Sequence, residues 1–172
     1  LDVTDDAHFD ALVARLDADL GGVDGVLHSI AWASPELVRQ GFLAGGREDA
    51  ARAFEVSAYS YKRLAEAVAP IMPRGGSIVG LTFSPDVAWP GYDWLGVLKA
   101  ALEAVNRYLS YHLGPAGIRT NLVAAGPIKS VASEIFSRFD VLADAWESQA
   151  PLGWDADDPT AVGRAVCMLW SD

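Results

Sequence analysis

The sequence predicts an α/β fold in which a parallel β-sheet is covered by helices on both faces. Helical and strand patterns alternate along the chain: three helix–strand pairs are followed by a helical flap and a last helix. The strand segments are nearly continuous apolar runs, which is typical of strands buried on both faces. A length of 172 residues is enough for one domain with a single core. We therefore expect residues 1–172 to form one domain.

The first helix and the first strand are predicted from apolar spacing and turn residues. Apolar residues recur at helical intervals over 5–20, at Phe9, Leu12, Val13, Leu16 and Leu20. Thr4 or Asp5 is placed to cap this helix, and Gly21-Gly22 ends it. The run 25–30, with its β-branched members, predicts a buried strand.

Two longer helices alternate with two further strands. The pattern predicts one helix over 47–72 and a strand over 77–83. It then predicts a second helix over 93–113 and a third strand over 118–125. The segment 41–46 between the first strand and the next helix is expected to be a surface loop.

The last third of the chain predicts a flap and a closing helix. Residues 131–150 mix aromatic and acidic side chains and predict a short helical flap, and Pro159 opens the last helix. Cys167 lies in an apolar run of that helix and is expected to be an inert core thiol. Because the chain opens on Leu1 and closes directly after a helical run, we expect a sheet that is incomplete at both ends.

Composition excludes several classes of function. The charge of −10 makes nucleic acid an unexpected partner, because phosphate binding requires a clustered basic surface. No run of about 18 apolar residues predicts a membrane span. A single cysteine excludes an intrachain disulfide and fits a reducing cytoplasm. Three scattered histidines and one cysteine give no metal-ligand spacing, so no metal site is expected.

Parallel sheets bind ligands at the carboxyl ends of their strands. The candidate segments are therefore 29–31, 83–84 and 126–128. Tyr92 and Lys99 are seven residues apart, which is nearly two helical turns, so we expect the pair to share one helix face. A lysine near a tyrosine can favour the phenolate or position a hydroxyl-bearing cofactor. The spacing alone also fits an exposed lysine and a half-buried tyrosine at a helix start.

Taken with its surroundings, the Tyr92–Lys99 pair resembles the active-site signature of bacterial enoyl-acyl-carrier-protein reductases. These enzymes are a divergent branch of the short-chain dehydrogenase/reductase family. Matching segments follow in the same order along the chain: Leu1-Asp2-Val3, His28-Ser29-Ile30, 57–61, 77–80 with Phe83, 121–128 and 150–154. The similarity covers nearly the whole chain and is greatest to the actinobacterial type.

The resemblance implies a Rossmann-like sheet and NADH-dependent reduction of trans-2-enoyl thioesters in fatty-acid biosynthesis. NADPH is not excluded. It implies that Tyr92 and Lys99 are catalytic. The implied cofactor residues are Asp2, Val3, Ser29, Ile30, Ala31, Lys99, Ala125, Gly126, Pro127, Ile128 and Ser130. The implied substrate residues are Phe83, Tyr92, Ser133 and Phe136, with 131–150 as the substrate-binding flap.

The resemblance also implies an acyl-carrier-protein-linked substrate, a homotetramer and a cytoplasmic location. The carrier is acidic in this family, so Lys129 and Arg138 near the flap are candidates for its docking. The family's glycine-rich phosphate turn has no equivalent in this sequence. Two alternatives therefore stay open: another short-chain reductase acting on a ketone or enone, and a non-catalytic truncated scaffold.

Overall fold

The centre of the fold is a three-stranded parallel sheet in the order β1-β2-β3. The computed structural model describes residues 1–130, 133 and 139–171. The strands are β1 (Gly25–His28), β2 (Gly76–Thr82) and β3 (Ile118–Ala124). Gly25 pairs with Ser77, and Gly76 pairs with Ile118. The predicted α/β fold with a parallel sheet is confirmed, although β1 ends at His28 and not at Ile30.

Seven α-helices surround this sheet in the described part of the chain. They are α1 (Asp6–Leu20), α2 (Pro35–Arg39), α3 (Arg47–Phe54), α4 (Ser60–Val68), α5 (Trp94–Leu113), α6 (Phe139–Gln149) and α7 (Thr160–Trp170). Short 3-10 turns occupy Phe42–Ala44, Ala69–Ile71 and Gly114–Ala116. Of the two predicted caps of α1, Asp5 is the one used, since its carboxylate accepts a hydrogen bond from Ala7 N at 2.9 Å. No described helix is long and apolar enough to cross a membrane.

The single helix predicted over 47–72 is wrong in detail. A π-helical turn, Glu55–Tyr59, separates α3 from α4. At this turn Ser60 Oγ donates to Val56 O at 2.6 Å, and Ser57 Oγ hydrogen-bonds to Trp32 O at 2.9 Å. Apolar spacing does not reveal such a turn, because the turn is accompanied by hydroxyl hydrogen bonds, one of which reaches Trp32 outside these helices. The short helix α2 was also missed.

The central core lies between the sheet and helices α1, α4 and α5. Its buried members are Phe9, Ala58, Tyr61, Leu64, Ala65, Val68, Met72, Ile78, Leu102 and Ile118. Tyr61 is fully buried, and its hydroxyl donates to Asn106 Oδ1 at 3.0 Å. Tyr61 is therefore a packing residue of this core.

Helix α7 covers the opposite face of the sheet. Ser77 Oγ donates to Leu169 O in α7 at 2.6 Å, whereas the neighbouring Ile78 belongs to the central core. Successive residues of a strand point to opposite faces, so the sheet has helices on both sides. Arg119 of β3 donates to Leu169 O at 2.8 Å and fixes the end of α7.

Candidate functional site

A cavity of about 610 Å³ lies at the carboxyl ends of the strands. Predicted site residues that line it are Ser29, Ala31, Phe83, Tyr92, Lys99, Ala125, Gly126, Pro127, Ile128, Ser130 and Ser133. They come from the segments after β1, β2 and β3 and from the beginning of α5. The lining is mostly apolar, with a few polar groups, which is the usual composition of a small-molecule site.

Three predicted site residues lie apart from this cavity, and one lies outside the described residues. Asp2, Val3 and Ile30 are not among its described lining residues. The carboxylate of Asp2 accepts hydrogen bonds from Thr4 N at 3.0 Å and Thr4 Oγ1 at 2.8 Å, and these bonds lower its pKa. Phe136 lies outside the described residues, as do 131–132, 134–135 and 137–138 of the predicted flap.

Helices α6 and α7 supply cavity residues that the sequence analysis missed. Phe139 and Leu142 come from α6, and Val162, Cys167 and Trp170 come from α7. The expectation of a core position for Cys167 is wrong, because this thiol is exposed and faces the cavity. The sequence does carry a signal of this placement. The helix α7 has many apolar residues around Cys167, but Val166 is the one that it buries in the described structure, so the others are left to face the cavity or solvent.

Tyr92 is buried beside Phe83, with their ring centroids 5.0 Å apart. It precedes α5 and lies in a turn in which its backbone N–H donates to Trp89 O at 3.1 Å. The inference that Tyr92 and Lys99 share one helix face is therefore wrong, although both line the same cavity. Burial raises the pKa of Tyr92, so its hydroxyl remains protonated and can donate a hydrogen bond.

The backbone directly after Tyr92 is strained. Asp93 has φ 40° and ψ −116°, and it is the one non-glycine residue with positive φ in the described ranges. Such angles belong to the first central position of a type II′ turn, which glycine normally occupies. Strain of this kind costs roughly 1–3 kcal/mol and is found at sites where neighbouring structure enforces it. Here the turn sets the direction in which α5 leaves Tyr92.

Lys99 carries a buried ammonium group in the lining of the cavity. Its side chain is 8% exposed, and Nζ donates to Leu81 O at 2.8 Å. Burial lowers its pKa from 10.5 to about 8. An ammonium has three N–H groups, and Leu81 O is the one acceptor found for them among the described residues. Lys99 can therefore bind hydroxyl oxygens of a ligand in the cavity.

His28 lies at the end of β1 and is almost fully buried. Its Nε2 is 2.7 Å from Ser60 Oγ, whose own proton goes to Val56 O. We therefore assign the ring proton to Nε2, and Nδ1 has no hydrogen-bond partner in the described part of the chain. Burial, assisted by the positive charge of Lys99, lowers the pKa of His28 to about 4. His28 is thus a neutral packing residue near pH 7.

The lowered pKa of His28 predicts a loss of stability in mild acid. The unfolded state takes up the His28 proton below about pH 6.5, whereas the folded state does so only near pH 4. The free energy of unfolding should therefore fall by about 2 kcal/mol between pH 7 and pH 5 through this residue. Urea unfolding of His28→Phe should lack this pH-dependent part of the free energy of unfolding, whereas the exposed control His112→Phe should keep it. A His28→Phe protein with the wild-type pH slope would contradict this assignment.

Phe83 is the centre of a group of aromatic rings that we call the aromatic wall: Phe83, Trp89, Trp146 and Trp154. The ring centroids of Trp89 and Trp146 lie 5.4 and 5.2 Å from that of Phe83, and 5.8 Å from each other. Trp154 packs on Trp146 at 6.4 Å, and its Nε1 donates to Pro127 O at 2.7 Å. The wall joins α6 to the segments that follow β2 and β3.

The surface beyond α6 is acidic. A groove there is lined by five carboxylates and by Lys129: Asp140, Asp144, Glu147, Asp155 and Asp157. Lys129 Nζ is 2.9 Å from Asp157 Oδ2, so its charge is already paired. The expected basic docking patch around Lys129 is therefore not supported, and Arg138 lies outside the described residues. The sequence did not reveal this, because the carboxylates come from two separate segments.

The cavity fits one end of a dinucleotide cofactor. The buried ammonium of Lys99 suits ribose hydroxyls, and the hydroxyl of Ser29 with the apolar Ile128 suits an amide-bearing ring. A glycine-rich phosphate turn is missing from the sequence. The residues in the cavity therefore account for the nicotinamide–ribose half of such a cofactor.

The chain is similar to one protein family and to several proteins that carry the same description. The sequence model described as enoyl-(acyl carrier protein) reductase matches residues 1–172. The chain is 41% identical to the NADH enoyl-acyl-carrier-protein reductase of Mycolicibacterium smegmatis, over all of this chain and 69% of that protein. It is 40% identical to the Mycobacterium avium NADH enzyme with the same coverage. The Staphylococcus aureus NADPH enzyme is 38% identical, over 92% of this chain and 62% of that protein.

Proposed function

Because the chain belongs to the enoyl-acyl-carrier-protein reductase family, we propose that it reduces the trans-2 double bond of enoyl thioesters attached to acyl carrier protein. The reductant is NADH, with NADPH not excluded, and the reaction serves fatty-acid biosynthesis. One observation carries the proposal: Tyr92 and Lys99 meet in a mostly apolar cavity at the carboxyl ends of the strands.

The mechanism assigns different tasks to the two polar side chains. NADH, when bound, would supply the hydride for the β-carbon of the enoyl group and would leave as NAD⁺, and a proton from water completes the reduction at the α-carbon. During the hydride addition negative charge develops on the thioester oxygen, and the protonated hydroxyl of Tyr92 donates a hydrogen bond to it. Lys99 holds the ribose hydroxyls, so its contribution is to position the reacting groups.

The apolar residues of the cavity exclude water from this reaction. Phe83 and Leu142 line it together with Leu95 at the beginning of α5. A low local dielectric strengthens the hydrogen bond from Tyr92 to the developing charge. We assign the acyl group to the side of Phe83 and Ser133, with Phe136 and the rest of the 131–150 flap as its cover.

The remaining proposed residues bind the cofactor. Ser29, Ala31 and 125–128 would surround the nicotinamide, and Ser130 would contact the pyrophosphate. Asp2, Val3 and Ile30 lie outside the cavity, and we assign Asp2 and Val3 to the adenosine end of the cofactor.

A substrate comparison tests the function. Purified protein is assayed for NADH oxidation with crotonyl and longer enoyl thioesters, and with simple ketones and enones at equal concentration. Turnover of enoyl thioesters alone supports the proposal. Turnover of ketones or simple enones in their place assigns another short-chain reductase activity. Absence of turnover and of NADH binding would leave a non-catalytic scaffold.

We propose further that the protein is a cytoplasmic homo-oligomer. The family resemblance implies a tetramer. Helix α5 has an exposed apolar stripe formed by Val97, Tyr108 and Tyr111, with exposed fractions of 45%, 70% and 77%. Exposed apolar patches of this kind mark protein–protein contacts.

Charges placed on this stripe should dissociate the oligomer. For Tyr108→Glu combined with Tyr111→Glu, light scattering should show a smaller species than for the wild type, because carboxylates in an apolar contact lose their hydration. Leu152→Glu is the control, since Leu152 is fully exposed and lies outside the stripe. An unchanged mass for the double variant would exclude the stripe as a subunit contact.

A further inference from the structure

The cavity lining combines a few polar side chains with a larger apolar surface. Lys99 and Tyr92 are the polar side chains to which the proposed function assigns the reaction. Phe83 contacts Tyr92 on one side and the two indoles of Trp89 and Trp146 on others. Phe83 lines the cavity, whereas Trp89 and Trp146 are not among its described lining residues. The indoles therefore fill the space behind Phe83, on the side away from the cavity.

The aromatic wall is held in place by hydrogen bonds and by close packing. Trp89 Nε1 donates to Ser84 O at 3.0 Å, which ties the indole to the segment after β2. A Cβ atom at Gly126 would lie 2.4 Å from Trp146 Nε1, so no space remains between this indole and the backbone. Trp89 cannot shift without losing a partly buried hydrogen bond, and Trp146 cannot shift toward Gly126 without overlapping the backbone.

We propose that Trp89 limits the length of the acyl chain that this enzyme accepts, an inference that rests on the proposed enoyl reductase function. An acyl chain that starts at Tyr92 runs along the apolar side of the cavity and meets Phe83. Phe83 cannot move aside, because Trp89 and Trp146 pack behind it. The wild-type enzyme therefore prefers short enoyl thioesters over long ones.

The test compares crotonyl, octenoyl and dodecenoyl thioesters with the wild type and Trp89→Ala. The substitution removes the indole behind Phe83 and opens space for the chain. Each methylene accommodated in an apolar pocket favours the longer substrate by roughly tenfold or more, so the kcat/KM ratio of dodecenoyl to crotonyl should rise at least about tenfold. Crotonyl turnover should change little, because its short chain needs no space beyond the ring of Phe83.

A second variant and a control make the result specific. Trp89→Leu keeps an apolar side chain at the same position and should shift the ratio in the same direction, by less. Trp94→Ala is the control: its indole stacks on Phe42 at 5.3 Å and its Nε1 donates to Phe42 O, away from the wall. Thermal unfolding identifies which of the variants are folded.

The outcomes separate this inference from the proposed function. A wild type that reduces crotonyl and dodecenoyl thioesters equally well would overturn the chain-length limit and leave the function intact. An unchanged ratio in the folded Trp89 variants would also overturn it. A wild type that reduces no enoyl thioester would overturn the proposed function, and the chain-length limit with it.

Discussion

Replacing Tyr92 by Phe is expected to lower kcat by roughly ten- to a hundredfold while NADH affinity changes little. The substitution keeps the ring that packs on Phe83 and removes only the hydroxyl that donates to the developing enolate oxygen. Loss of one oxyanion donor costs about 10²–10³ in rate in acyl-transfer sites. We expect a smaller effect here, because a ribose hydroxyl can share the charge. The loss of activity should lie mainly in kcat, because the hydrogen bond from Tyr92 exists mainly in the transition state.

Tyr61→Phe is the matched control for this experiment. Tyr61 is also a buried tyrosine, but its hydroxyl donates to Asn106 in the central core. Its removal should lower the free energy of unfolding by about 1 kcal/mol and leave kcat unchanged. If Tyr92→Phe retained wild-type kcat with enoyl thioesters, the assignment of Tyr92 as the hydrogen-bond donor would have to be withdrawn.

Lys99→Met is expected to have two opposite effects: NADH binding becomes weaker and the protein becomes more stable. The ribose hydroxyls lose their ammonium partner, so NADH affinity falls. Burial lowers the pKa of Lys99 from 10.5 to about 8, so the unfolded state binds this proton more tightly. The free energy of unfolding at pH 7 is therefore lower by about 3 kcal/mol because of this group. Methionine removes that cost, and the lost bond to Leu81 O offsets part of the gain.

Calorimetric titration with NADH and urea unfolding at pH 7 measure the two effects. We expect a net increase of about 1 kcal/mol or more in the free energy of unfolding. Lys62→Met is the control, because Lys62 is an exposed lysine paired with Glu66 and should change neither quantity appreciably. Wild-type NADH affinity in Lys99→Met would contradict the role of Lys99, and a less stable variant would contradict the electrostatic argument.

The sheet and its ligand edge could be predicted because they follow from local patterns. Phe83 and Ile128 each follow a nearly continuous apolar strand. Because parallel strands have their carboxyl ends at the same edge of the sheet, the strand pattern alone predicts that both residues line one cavity. The Tyr92–Lys99 pair was found from a spacing that assumed a helix through both residues. The structure places Tyr92 in the turn before α5, so the pair meets through tertiary packing.

The features that were missed depend on partners that are distant in sequence. The π-helical turn is accompanied by hydrogen bonds of Ser57 and Ser60, one of which reaches Trp32. Helix α7 packs on the sheet through Val166, and the adjacent Cys167 lines the cavity. The apolar spacing of α7 does not determine which of these two residues is buried. Lys129 was expected to contribute to a basic docking patch, but Asp157 neutralises its charge from 28 residues further along the chain.

The aromatic wall also gives this protein an internal optical reporter. Indole emission overlaps the absorption band of reduced nicotinamide, and energy transfer between the two falls steeply with distance. Trp89 and Trp146 contact Phe83, which lines the cavity, whereas Trp94 stacks on Phe42 outside the wall. Quenching on cofactor binding therefore reports on the wall together with Trp170, which lines the cavity itself. The oxidised cofactor lacks that absorption band, so the emission distinguishes the two redox states at the site.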